Sequence, residues 1–220
     1  MVSLIGLVLQ MAYYEEIAAV VLAGGSGSRA GYVEKALLEF DGAPLLTHII
    51  DKLSQITKTI IISVRDEAQK KLFSERFTSI TTVVDKHHDI GPLAGIEAGL
   101  SSSDKEYTLV LGCDMPFLNL DVLRYIVERC EGFDVTIPRW SDGRLEPLHA
   151  VYRTGVMLDE VKRSIKYGER FILAPTFKRE LIQYIDVNEL REFDPSLNTF
   201  RNVNTEDDLK NIFSTSPKTL

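Results

Sequence analysis

The stretch Ile17-Ala-Ala-Val-Val-Leu22 is apolar at every position and then gives way to Ala23-Gly24-Gly25-Ser26-Gly27-Ser28-Arg29-Ala30-Gly31. An unbroken apolar run of this length suits a strand buried on both faces, the kind found in parallel sheets covered by helices. The glycines let backbone N–H groups converge on an anion with no Cβ in the way. Ser26 and Ser28 add donors, Arg29 supplies a planar fork that matches phosphate oxygens, and Lys35 follows as a point charge. A surface turn is the bland alternative, but strand-to-helix connections are normally about 2–6 residues and seldom so glycine-rich. The composition therefore points to a phosphate cradle.

Two common cradles are set aside by spacing. No G-x-x-x-x-G-K-[ST] string occurs. Gly25-x-Gly27-x-x-Ala30 meets a loose dinucleotide pattern, but that pattern needs a helix at once and an acid at the end of the next strand. Here Lys35-Ala-Leu-Leu-Glu-Phe40 and an Asp41-Gly42 turn intervene before a helix opens near Pro44. A dehydrogenase is thus a weak rival.

Outward from this loop, apolar runs alternate with amphipathic ones. Strands are expected at Ile17–Leu22, Thr59–Val64, Thr81–Val84, Tyr107–Cys113, Phe133–Pro138 and His149–Arg153. Helices are expected at Pro44–Ile56, Asp66–Phe77, Leu93–Ser101, Leu120–Cys130 and Gly155–Tyr167, with a last one opened by Thr205-Glu-Asp-Asp208. The pattern predicts an α/β fold, a three-layer α/β/α sandwich on a mostly parallel, Rossmann-like sheet. Beyond about Tyr152 the alternation loosens, and this part is expected to cap the sheet rather than extend it. The expected organisation is a lead at 1–12 and one domain over 13–216, its nucleotide-binding half about 13–116 and its acceptor-side half about 117–216.

In open α/β sheets ligands gather outside the carboxyl ends of the strands. Tyr107-Thr-Leu-Val-Leu-Gly-Cys113 delivers Asp114 to that edge, followed by Met115-Pro116. Triphosphate chemistry needs a divalent cation to join the phosphates and offset charge on the leaving group, and Mg²⁺ uses one or two carboxylates plus water. Asp114 is the expected magnesium ligand; the alternative is an acid that merely caps the next helix. Cys113 reads as small packing rather than a nucleophile.

These residues resemble the molybdenum cofactor guanylyltransferases, whose loop runs approximately L-A-G-G-x-S-x-R-M-G and is followed by D-K. Leu22, Ala23, Gly24, Gly25, Ser28, Arg29, Gly31 and Lys35 agree, while Ala30 replaces methionine and Glu34 the acid. Cys113-Asp114-Met115-Pro116 reproduces the family's C-D-x-P element, whose aspartate binds metal and nucleotide. The resemblance implies the nucleotidyltransferase fold and transfer of GMP from GTP to molybdopterin with Mg²⁺. Arg29, Lys35 and Asp114 would be catalytic, and Leu22, Ala23, Gly24, Gly25, Ser28, Lys35, Ser63, Asp85 and Asp114 would bind the nucleotide. It puts Asp85 against the nucleoside, on the base edge or on the ribose. It also implies an acceptor side formed by Gly91, Pro92 and Leu93, from Gly91-Pro-Leu-Ala-Gly95, and by Asn202 and Asn204, from Asn202-Val-Asn-Thr205. Asn204 could equally cap the last helix, and Arg170 and Arg201 are candidate acceptor-phosphate partners, although long arginines on helices and edges are usually solvated. Where the family has asparagine after its second strand this chain has Ser63, which leaves GTP against CTP open. Besides the cytidylyl and sugar-phosphate transferases, a non-catalytic carrier of nucleotide and cofactor is the rival of a different class.

Composition narrows the setting. A net charge of -7 argues against a broad nucleic-acid-binding face. Cys113 and Cys130 are the two cysteines, without zinc-ligand spacing, which fits a reduced, cytoplasmic setting. His87 and His88 are assigned no metal. The apolar run from Val2 to Ala12 is too short to span a bilayer and lacks the flanks of a signal peptide, and Met11 is an alternative start. The expected partners are GTP, molybdopterin and the apoenzymes that receive the product, with no nucleic acid and no membrane.

Overall fold

The computed structural model describes residues 14–25, 34–87, 90–203 and 208. Ser28, Arg29, His88, Asn204, the 1–12 lead and most of the helix expected from Thr205 lie outside them.

A seven-stranded sheet runs through the molecule in the order β5-β4-β1-β6-β8-β7-β9. Its strands are β1 (Ile17–Leu22), β4 (Thr59–Val64), β5 (Thr81–Val84), β6 (Tyr107–Gly112), β7 (Val135–Arg139), β8 (His149–Arg153) and β9 (Ile182–Asp186). β1 pairs in parallel with β4 and β6, and β4 with β5, whereas β8 runs antiparallel to both β6 and β7. A two-residue turn at Asp41-Gly42, both with positive φ, closes a small hairpin of β2 (Glu39–Phe40) and β3 (Ala43–Pro44).

The three layers follow from the alternation within each strand. Ile17, Ala19 and Val21 of β1 face one core, shared with Leu46 and Ile49 of α1 (Leu45–Leu53), Phe73 of α2 (Glu67–Arg76) and Val122, Leu123 and Ile126 of α4 (Leu120–Val127). Val20 faces the opposite core, where Leu93, Ile96 and Leu100 of α3 (Pro92–Ser101) meet Met157 and Val161 of α5 (Thr154–Lys166). Each such aliphatic side chain stabilises the fold by about 1.5–3 kcal/mol relative to leaving it exposed. α3 lies unusually close to the sheet, since a Cβ at Gly99 would stand 2.4 Å from Val20 Cγ1. Among the described residues no helix is long and apolar enough to cross a membrane.

Three expectations about the strands are corrected. The chain beyond Tyr152 does extend the sheet: β9 adds an edge strand parallel to β7, from Val135 opposite Ile182 to Arg139 opposite Asp186. Its half-buried residues carry too short an alternation to stand out in the sequence. β6 also ends at Gly112 rather than Cys113, and β7 begins at Val135 rather than Phe133.

Candidate active site

The register of the parallel strands sets the geometry. Leu22 of β1 is level with Ser63 of β4 on one side and with Gly112 of β6 on the other. The residues that follow are therefore neighbours along one edge of the sheet, two past Leu22 being Gly24 and two past Gly112 being Asp114. Main-chain bonds continue past the strand ends and tie this edge together. The N–H of Ala23 donates to Ser63 O at 2.8 Å, that of Cys113 to Leu22 O at 3.2 Å and that of Asp85 to Val64 O at 2.8 Å.

A cleft of about 1000 Å³ opens above this edge. Leu22, Ala23, Gly24, Gly25, Lys35, Ser63, Asp85, Gly91, Pro92 and Asp114 all line it. The glycines among them are spaces that side chains would fill. A Cβ at Gly24 would lie 3.1 Å from Asp85 Oδ2 and from the Arg65 nitrogen. At Gly95 it would press on Leu22 at 3.1 Å and on Ser63 Oγ at 3.2 Å, and at Gly112 on Asp114 Oδ1 at 2.9 Å. The Asp114 carboxylate thus folds back over the last residue of its own strand.

Electrostatically, Asp114 is the centre of the cleft. Its side chain is 20% exposed and faces the Lys35 ammonium, Nζ to Oδ2 at 3.8 Å. Desolvation pushes its pKa above the ordinary carboxylate range, with Lys35 acting in the opposite direction. At the next tip the Ser63 hydroxyl donates to Asp85 Oδ1 at 2.6 Å, which fixes that carboxylate's rotation. Cys113 is buried, and the same desolvation pushes its thiol up to about 12, so it stays protonated and packs.

The acceptor-side expectations divide. Gly91 and Pro92 line the cleft, with Gly91 at φ 75°, the left-handed conformation glycine adopts freely, as it opens α3. Leu93 does not fit the place given to it: its side chain is fully buried in the core beneath α3, as the first apolar position of that helix. Asn202 is exposed and is not among the cleft-lining residues, although the adjacent Val203 N–H donates to the Asp114 carbonyl at 2.8 Å. Arg170 lines the cleft, while Arg201 is exposed and lies over the Phe117 ring.

Arg65 and His87 line the cleft although the sequence reading assigned them no part in it, and Gly95, the last residue of the glycine-proline motif, lines it too. Arg65 forms an ion pair with Glu34, the acid preceding Lys35. His87 Nε2 stands 3.1 Å from the buried carboxylate of Glu97 on α3. The position of Arg65 one residue past β4 was the available signal, because residues just past parallel strands are where ligands gather.

A glycine-lined edge, a desolvated aspartate and a facing lysine share one cleft. The family model described as "MobA-like NTP transferase domain" matches residues 19–181, which include every strand tip around the cleft. The chain belongs to this family. It is a nucleotidyltransferase. A protein of Methanosarcina mazei called "Probable molybdenum cofactor guanylyltransferase" is 44% identical over 199 residues, covering 88% of each chain. One of Natronomonas pharaonis with the same name is 32% identical, covering 87% of this chain and 94% of its own. The crystal structure of molybdopterin-guanine dinucleotide biosynthesis protein A from Archaeoglobus fulgidus superposes with a TM-score of 0.75 at 34% identity, covering 90% of this chain and all of that one.

Proposed function

We propose that this nucleotidyltransferase moves GMP from GTP to the terminal phosphate of molybdopterin, releasing pyrophosphate and forming molybdopterin guanine dinucleotide. The observation that carries the proposal is the shared cleft: Gly24 and Gly25, Lys35 with Asp114, and Ser63 with Asp85 all face one space. The names of the relatives at 44% and 32% identity support a guanylyl donor and a molybdenum-cofactor acceptor.

In the transfer an acceptor phosphate oxygen attacks the α-phosphorus, the bond to the β-phosphate breaks, and the electron pair leaves with pyrophosphate. Positioning and charge compensation supply most of the catalysis, and no covalent enzyme intermediate is required. Lys35 and Arg29 offset charge on the triphosphate, the N–H groups of the glycine loop orient it, and Asp85 meets the nucleoside. The donor set suits Mg²⁺, which is bound through one or two carboxylates together with substrate phosphates and water, so Asp114 would hold it. An ion held there would supply charge neutralisation for the departing pyrophosphate. Gly91 and Pro92 border the acceptor, with Asn202, Asn204 and Arg170 toward its phosphate.

Pyrophosphate release measured with GTP, CTP, ATP and UTP, each with and without molybdopterin, tests this. Release is expected with GTP and molybdopterin together. Ser63, where the resembled family carries asparagine, makes CTP the arm to watch: a preference for CTP would reassign the base. Release with sugar phosphates alone would reassign the acceptor, and silence in every arm would leave a binding protein.

A further inference from the structure

Gln69 is buried at 2% exposure, and the transfer chemistry gives it no role. It occupies the third position of α2, which Asp66 caps by accepting from the Gln69 N–H at 2.7 Å. In an ordinary capping box the side chain at this position reaches back to the N–H of the capping residue. Here it reaches one residue further back, and across to the neighbouring strand connection. Its Oε1 accepts from the Arg65 N–H at 2.8 Å, and its Nε2 donates to the Ala23 carbonyl at 2.9 Å and to Glu34 Oε2 at 2.6 Å.

Those partners have one thing in common. Ala23 is where the chain leaves β1 for the glycine loop, Glu34 is where it returns just ahead of Lys35, and Arg65 is the first residue past β4. A single amide thus joins both stems of the loop to the neighbouring strand tip. The Arg65 guanidinium closes the cluster by pairing with Glu34 and donating through Nε to Asp66 at 3.1 Å. Both the nitrogen and the oxygen of the Gln69 amide are engaged, so its burial is satisfied on each side. The amide supplies donors and an acceptor at once, which neither a carboxylate nor an apolar side chain can do.

We infer that Gln69 is a positioning residue for nucleotidyl transfer: it clamps the two stems of the glycine-rich loop and thereby holds Lys35 toward Asp114. This rests on the nucleotidyl-transfer reading of the cleft. Small displacements of groups that orient a reacting phosphate are costly, about 100-fold for a misplacement near 1 Å.

The test compares wild type with Gln69→Glu and with the exchange variant that combines Glu34→Gln with Gln69→Glu. Gln69→Glu sets a carboxylate against Glu34 and loses both donated bonds. It should lower kcat/KM by about 100-fold per folded molecule, with KM for the triphosphate raised and kcat reduced. It should also speed hydrogen exchange at the Leu37 and Leu38 amides, which are bonded to the carbonyls of Glu34 and Lys35. In the exchange variant the amide introduced at position 34 can donate to the carboxylate introduced at position 69, and about tenfold of the loss should return. A purely structural role would lower thermal stability and leave kcat and KM of the folded fraction unchanged. The clamp is overturned if kcat/KM of Gln69→Glu stays close to that of wild type, if the two amides exchange at the wild-type rate, or if the double variant is no better than the single. Should wild type release pyrophosphate from no triphosphate, the transferase reading fails, and the exchange rates alone then decide the clamp.

Discussion

The tips of β1, β4, β5 and β6 and the returning segments around β7, β8 and β9 treat their polar groups in opposite ways. At the four tips, carboxylates and cations face a cleft, glycines make room for them, and main-chain bonds between adjacent strands fix their level. In the other region the buried carboxylates are paired with arginines that reach the surface. Asp134 accepts from Arg179 at 2.7 and 2.9 Å, and Glu160 from Arg163 at 2.7 Å. Removing the arginine would leave a desolvated carboxylate with no countercharge, so these pairs hold the fold. The contrast teaches that burial of charge by itself does not mark chemistry in this molecule. What marks it is a desolvated group that still faces open space, as Asp114 does.

Asp114→Asn is expected to produce the largest effect. It keeps the volume and removes the charge, and should lower kcat/KM by at least about 1000-fold, the scale on which single preorganised electrostatic groups act. The thermal midpoint should not fall, because the charge being removed is desolvated. Undiminished pyrophosphate release would erase the distinction between the two regions. Lys35→Met should cost about 100-fold and also move the pH profile. In the proposed reaction Asp114 acts as the anion, so activity should be lost as pH falls through its raised pKa. Lys35 holds that pKa down. Without it the acidic limb of kcat/KM should shift to higher pH, and an unmoved limb would show that the 3.8 Å pair does not govern the ionisation.

The same contrast explains what could be read in advance. β1 and β4 are buried strands rich in aliphatic residues, β5 is a short β-branched edge strand, and all three were legible to the residue. The place of Asp114 in the cleft was legible because the residue directly after an apolar run stands at the carboxyl edge of the sheet. β9 was not, since an edge strand needs only Ile182, Tyr184 and the buried Ile185 to pack. The acid and amide that join the loop stems, Glu34 and Gln69, were hidden by distance in sequence: their contact is tertiary and depends on the register of β1 with β4. Leu93 was placed at the acceptor because it belongs to a glycine-proline motif, whereas its apolar side chain obeys the helix that follows.

A smaller and different pH effect belongs to the second region. His149, at the start of β8, is fully buried, and desolvation lowers its pKa to about 3. The imidazole is therefore neutral in the folded chain while the unfolded chain takes up a proton below about pH 6.5. The sign follows: the contribution of this group to stability is fully present above about pH 6.5 and is lost as pH falls from there toward 3, by about 1.4 kcal/mol per pH unit. Between about pH 7 and pH 5 the loss from this group is about 2 kcal/mol. In His149→Phe the urea-unfolding free energy should fall by that much less over the same range. An identical fall in both proteins would mean that the ring is protonated in the native state, and that titration in this region does not act on folding as burial requires.

Asn202→Ala is expected to have the smallest effect, and it tests where the two regions meet. The Asn202 side chain is exposed, whereas its neighbour Val203 is buried against Leu38 and Leu45 and donates its N–H to the Asp114 carbonyl. The backbone therefore positions this segment, and the amide adds at most one solvent-exposed hydrogen bond to the acceptor, worth about 1 kcal/mol. The acceptor KM should rise about fivefold with the triphosphate KM unchanged. A change confined to the triphosphate KM would show instead that the segment acts through Asp114. The returning chain would then belong to the nucleotide site, and the line between the two regions would have to be drawn elsewhere.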